Sequence, residues 1–236
     1  MAIAVGTWDE TTPQRSGPVS SREKVLSRYR HLRSISREHH SEATRFLSRD
    51  RILHQARRLG LTVGRTFVVD DIEDLHLVFD LLVYTAPTGR SRGIDRIAAS
   101  ASAAPQSDEL LMLDAMRRAR FRIVKVLRRH EAAGLIVEDL ISRDEIWVVD
   151  EGWEASLAEG VALATRLYTP DSFSMTSGVS VPMTDALFES VAEHALQLRR
   201  KPVTAAVDDR RFAEAVYRTA LASGIMENVG YQDVRP

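Results

Sequence analysis

The spacing of apolar residues changes twice along this chain. From residue 21 to about residue 116 they recur every three or four positions, which predicts helices with one inward face. Between Phe121 and Gly178 they fall into five short runs separated by turn residues. After Pro182 the helical spacing returns. The pattern predicts an α+β fold: a helical N-terminal part, a small five-stranded antiparallel sheet or barrel over about 120–180, and C-terminal helices packed on it.

The five predicted strands are Phe121–Leu127, Leu135–Leu140, Glu145–Val149, Val161–Tyr168 and Phe173–Gly178. Gly134, Ser142-Arg143-Asp144, Gly160 and Thr169-Pro170-Asp171-Ser172 supply the turns. Connections this short favour antiparallel neighbours, because a parallel pair needs a crossover of about a dozen residues. Five strands in so short a span are expected to curl into a barrel, which limits exposed edges.

Before the strands, a first helix is expected from Ser20 or Ser21, with Val25, Leu26, Tyr29, Leu32 and Ile35 or Ser36 inward. A break is expected near Glu38-His39-His40-Ser41. Ser41 would then cap a second helix carrying Ala43, Phe46, Leu47, Leu53, Ala56 and Leu59, stopped by Gly60. Asp70 to Tyr84 is apolar on nearly every side and reads as a central buried helix. Shorter helices follow over Ile94–Ser100 and from a Ser107 cap through Met116. After the strands come a helix from about Thr184, with His194 on its apolar stripe, and a last one over about Asp208–Ser223. The organisation is read as a polar arm over 1–20, a basic then apolar helical region over 21–104, and the strand unit with its flanking helices over 105–236.

Composition changes this picture little. The chain has 236 residues, 44% hydrophobic and 28% charged, as expected of a soluble globular protein. It has no cysteine, which removes disulfides and thiolate chemistry. No run is apolar enough to span a membrane and no secretory leader is recognisable, so a cytoplasmic protein is expected.

Charge changes it more. The net charge is −1, yet residues 22–65 carry twelve Arg and Lys against four acids. A basic N-terminal third on an acidic body predicts either a binding surface or internal docking of opposite charges. Arg30, Arg33, Arg37, Arg45, Arg49, Arg57 and Arg58 are the candidate binding residues, since guanidinium groups pair with phosphate in a planar fork. The partner expected from them is nucleic acid, another protein or a second copy of the chain.

Other constellations are weaker. His39-His40 with Glu42 could begin a metal site if His31 or His54 converged on it, but adjacent histidines on a helix diverge. His76 and Asp80 stand four apart on the apolar helix; His76 is expected to be a satisfied core histidine, and His194 likewise. Gly89-Arg-Ser-Arg-Gly93 precedes a helix and resembles an anion-binding turn without phosphate-loop spacing; it reads as an exposed loop. Asp150 and Glu151, near Glu138, Asp139 and Glu145, could serve acid/base chemistry, but alternate strand positions separate such acids. Trp147 and Trp153 are expected to pack one end of the sheet. No motif for a catalytic nucleophile, a metal or a cofactor is present, and none of these is expected. The reading is a non-catalytic binding or regulatory protein using a basic helical surface. The alternatives are a hydrolase using Asp150, Glu151 and a histidine, or self-assembly through opposite charges.

Overall fold

The computed structural model describes residues 21–64, 66–67, 72–101, 104–194 and 209–228. The arm expected over 1–20 lies outside the described residues.

The first helix, α1, runs unbroken over Ser21–Arg45. The break expected near Ser41 is absent because the inward stripe carries on through it: Tyr29, Leu32, Ser36, His39 and Ala43 are all buried at alternating spacings of three and four. The capping role falls instead to Ser48, whose side chain accepts from the Arg51 amide. It opens α2, Arg49–Leu59, which ends at Gly60 in the left-handed region. A two-stranded antiparallel hairpin follows, β1 (Thr62–Val63) and β2 (Thr66–Phe67).

The apolar helix α3, Ile72–Tyr84, is central as expected, with Leu77, Val78, Leu81, Leu82, Val83 and Tyr84 buried. The short α4, Gly93–Ser100, crosses it closely. A Cβ at Gly93 would stand 3.1 Å from the Val83 Cα, so glycine permits the approach. Ser107 caps α5, Asp108–Arg117, through the Leu110 amide.

Five strands then form one antiparallel sheet: β3 (Arg120–Arg129), β4 (Leu135–Asp139), β5 (Glu145–Val148), β6 (Ala162–Tyr168) and β7 (Met175–Pro182), in the order β5-β4-β3-β6-β7. The expected barrel is corrected to an open sheet. Its edge strands meet at a single parallel bridge between Val148 and Ser174, just before β7 begins. β5 has only four residues, too few to pair along β7, and helices cover the sheet where a barrel would have folded over itself. The last strand also lies later than expected, because Phe173 is drawn into the core within the turn and pairing begins at Met175.

Between β5 and β6 the chain forms a short helix, α6 (Glu151–Ser156). After β7 come α7 (Asp185–His194), α8 (Arg210–Ser223) and a 3-10 turn (Ile225–Asn228).

Alternation along β3 sends Phe121 and Ile123 to one face and Val124 and Val126 to the other, and all four are buried. The first face packs on α2, α3, α7 and α8 through Leu59, Leu81, Val191 and Tyr217. The second is closed by Trp153 of α6. A third apolar cluster joins α1, α4 and α5 to Tyr168, Phe173 and Met175 at one end of the sheet. The two larger clusters draw residues from both sides of position 105.

Candidate anion-binding site

The arginines singled out by the sequence separate into two groups. On α1, Arg30 makes a two-pronged pair with Glu151 at the start of α6, 2.6 Å at its shortest. Arg33 donates to the Thr176 carbonyl of β7 at 2.6 Å. Arg58 pairs with Glu214 of α8 at 2.7 Å. Their neighbours behave alike: Arg22 reaches Glu154, and Arg28 reaches both Asp108 and Asp171. This face of α1 therefore docks onto the acidic body of its own chain. By contrast Arg37, Arg45, Arg49 and Arg57 are exposed and make no ion pair among the described residues.

A denser group lies elsewhere. A cleft of about 1040 Å³ is walled by arginines from four places in the sequence. Arg90 and Arg92 come from the turn before α4, Arg117 and Arg118 from the end of α5, Arg120 from the start of β3, and Arg210 and Arg211 from the start of α8. Arg166 of β6 lies at its floor. Among the described residues two carboxylates, Asp95 and Asp209, share the lining. Asp95 takes Arg92 through two 2.7 Å hydrogen bonds and has Arg117 at 3.5 Å. Asp209 caps α8 and holds Arg211 at 2.8 Å. Arg90, Arg118 and Arg210 make no ion pair among the described residues.

Two of these positions run against local electrostatics. Arg210 and Arg211 occupy the first turn of α8, where the helix already presents its positive end. Stability alone would place acids there. The aromatic rings of the lining are not available for stacking: Tyr84 and Phe121 are buried, with the Arg166 guanidinium 4.9 Å from the first ring centre and 5.6 Å from the second. The cleft can therefore attract and fork onto anionic oxygens, and it offers no stacking platform.

The floor is rigid. Arg166 and Asp80 of α3 are both buried and joined by three contacts of 3.0–3.3 Å. Ser177 and Tyr217 donate to the same carboxylate, at 3.0 and 2.9 Å. Burial alone would lower the Arg166 pKa, but the Asp80 carboxylate outweighs it and holds the guanidinium charged.

The other sequence candidates come apart in space. His39 turns to the Glu109 carbonyl at 3.0 Å and His40 to the Tyr84 hydroxyl at 2.7 Å, so the adjacent histidines diverge. Burial, then Arg33, pushes the His40 pKa down to about 4. His76 is exposed, contrary to its expected core position; Leu77, Val78, Asp80 and Leu81 take the buried positions of α3. The His194 side chain lies outside the described residues. Asp150 caps α6 through the Trp153 amide and accepts from the Thr176 hydroxyl, while Glu151 holds Arg30. None of these bonds involves a histidine. Asp139 binds Arg122, Glu138 binds Arg143 and Glu145 binds Arg128, so the acids of the strand region are spread over separate pairs. Trp147 stacks on His130 near Phe173, and Trp153 packs the opposite face with its indole N–H on Ser180.

The turn Gly89–Gly93, read from sequence as a plain exposed loop, is one wall of this cleft. Charge counting along the chain favours the long basic segment and overlooks short clusters such as Arg117-Arg118-Ala119-Arg120 and Asp209-Arg210-Arg211. The local clue was the pair of arginines at the start of a helix. A family model described as a family of unknown function (DUF7986) matches residues 23–228, which takes in every element described above except the first two residues of α1. No curated protein matches the chain. No solved structure matches it either.

Proposed function

The chain belongs to the DUF7986 family, a family of unknown function, and we propose that it is a non-catalytic cytoplasmic protein that binds the phosphate backbone of a nucleic acid in its arginine-lined cleft. The observation that carries this reading is the gathering, among the described residues, of seven arginines against two carboxylates around one cleft, beside an eighth, Arg166, that Asp80 already neutralises. Such an imbalance disfavours the empty state by mutual repulsion, and an anionic partner relieves it. The want of exposed aromatic faces favours recognition of backbone charge over recognition of bases, which predicts sequence-independent, salt-sensitive binding. No helix is long and apolar enough to cross a membrane among the described residues. The exposed Arg37, Arg45, Arg49 and Arg57 belong to the reading as a secondary basic surface.

The test is fluorescence anisotropy with a labelled single-stranded oligonucleotide at about 50 mM salt, repeated as salt rises. Binding is expected to weaken steeply with salt. The double variant Arg118→Gln/Arg210→Gln is expected to bind at least tenfold more weakly, with a log–log salt slope shallower by about 1.4. Arg45→Gln/Arg57→Gln is expected to change affinity less. No binding at low salt, or equal loss from both double variants, refutes the cleft as the principal site.

A further inference from the structure

We propose that Arg51, Arg90 and Arg96 form a second anion site, the size of one phosphate group, at the corner where α1 passes into α2. The site adjoins the cleft through Arg90, but its argument does not depend on what the cleft binds. Arg51 lies in the first turn of α2 and Arg96 in the first turn of α4. Each adds a cation to the positive end of a helix, where stability alone favours acids. Arg96 reaches across to donate to the Phe46 carbonyl at 3.1 Å, which fixes its guanidinium against the corner. Arg51 Nη1 is buried and has no hydrogen-bond partner among the described residues. An orphaned guanidinium nitrogen is costly unless something fills the place it faces.

The charge balance agrees with the geometry. The Arg51 pKa is lowered, first by burial and then by Arg96 and Arg90, with no carboxylate among the described residues countering them. Elsewhere on these two helices the part-buried Arg28 and Arg58 are each met by an acid from another element. Here, among the described residues, the charges that act on Arg51 are those of two further cations. A tetrahedral dianion supplies what the corner lacks: an acceptor for the orphaned Nη1 and a charge that turns mutual repulsion into shared attraction. Arg90 sits on the exposed turn closed by the Arg90 amide and the Pro87 carbonyl, so it can fold over such a group from the cleft side.

The test titrates inorganic phosphate into the full-length protein at constant ionic strength, with chloride as the reference, and follows the melting temperature. Phosphate is expected to raise it in a saturable way. Arg51→Gln and Arg96→Gln are each expected to weaken the apparent phosphate affinity at least tenfold, while Arg128→Gln, in an exposed ion pair with Glu145 away from both sites, leaves it unchanged. If one of the corner variants fails to fold, the other carries the test. No phosphate effect beyond that of chloride, or equal affinity in all variants, overturns the proposal. Oligonucleotide binding then identifies the source of the anion. A salt slope shallower by about 0.7 in Arg51→Gln means a backbone phosphate. Unchanged oligonucleotide binding beside a lost phosphate response means a free phosphate or a phosphomonoester, and either result upholds the site. Loss of cleft binding with the phosphate response intact refutes the cleft reading alone.

Discussion

Replacing Asp80 by alanine puts the central packing argument at risk. Its carboxylate is the one acidic partner of Arg166 among the described residues and also accepts from Ser177 and Tyr217, tying α3, β6, β7 and α8 together. Both members of the pair are nearly inaccessible, Asp80 at 5% and Arg166 at 4%. Removing one partner leaves a buried cation uncompensated, and such losses run to about 3–5 kcal/mol. Two donors are orphaned as well, but their cost overlaps with the same desolvation and is not added separately. With an m-value of about 3 kcal/mol/M in urea, the denaturation midpoint is expected to fall by about 1–1.7 M. Trp147 and Trp153 pack against the sheet and report unfolding by fluorescence. The control is Asp80→Leu/Arg166→Met, which removes both charges at similar volume and is expected to recover most of the lost stability. A loss below about 1 kcal/mol in Asp80→Ala refutes the uncompensated-charge reasoning. So does a double variant as unstable as the single one.

Three further outcomes are expected. Gly134→Ala should lower stability by about 3 kcal/mol or more in the same urea assay, because its backbone has φ +79° and an added Cβ would meet the Val148 carbonyl oxygen at 2.2 Å. His40 is neutral in the fold with a pKa near 4 against an ordinary value near 6.5. The unfolded chain therefore binds the extra proton first, so this contribution is whole above about pH 6.5 and is lost as pH falls towards 4. The loss amounts to about 3 kcal/mol, and wild type and His40→Gln should converge in stability over that window. Glu154 is pulled below the ordinary carboxylate range despite its burial, through Arg22 and the Gly134 amide. Glu154→Gln should therefore destabilise most above pH 5, and a loss that persists unchanged at pH 3 contradicts the assignment.

Much of the fold was legible because the signals are local. Alternation along β3, the caps at Ser107 and Gly60, and the apolar run of α3 act through neighbours in sequence, so the elements and their antiparallel order follow from the residues themselves. The continuity of α1 was missed because His39 and Ala43 pack inward only once α4 and α5 are in place. The open sheet was missed because closure depends on what covers a face, and strand count does not say that helices will. Charge shows the same division most plainly. The sequence by itself determined that this protein carries a basic segment and an acidic remainder, since charge is a property of residues. Only the tertiary structure decided which arginines are spent. Folding brings Glu151, Asp108 and Glu214 from distant positions to Arg30, Arg28 and Arg58, and assembles Arg90, Arg118 and Arg210 from three separate elements around one cleft. Electrostatic interaction falls off with distance in space, and distance along the chain does not predict it.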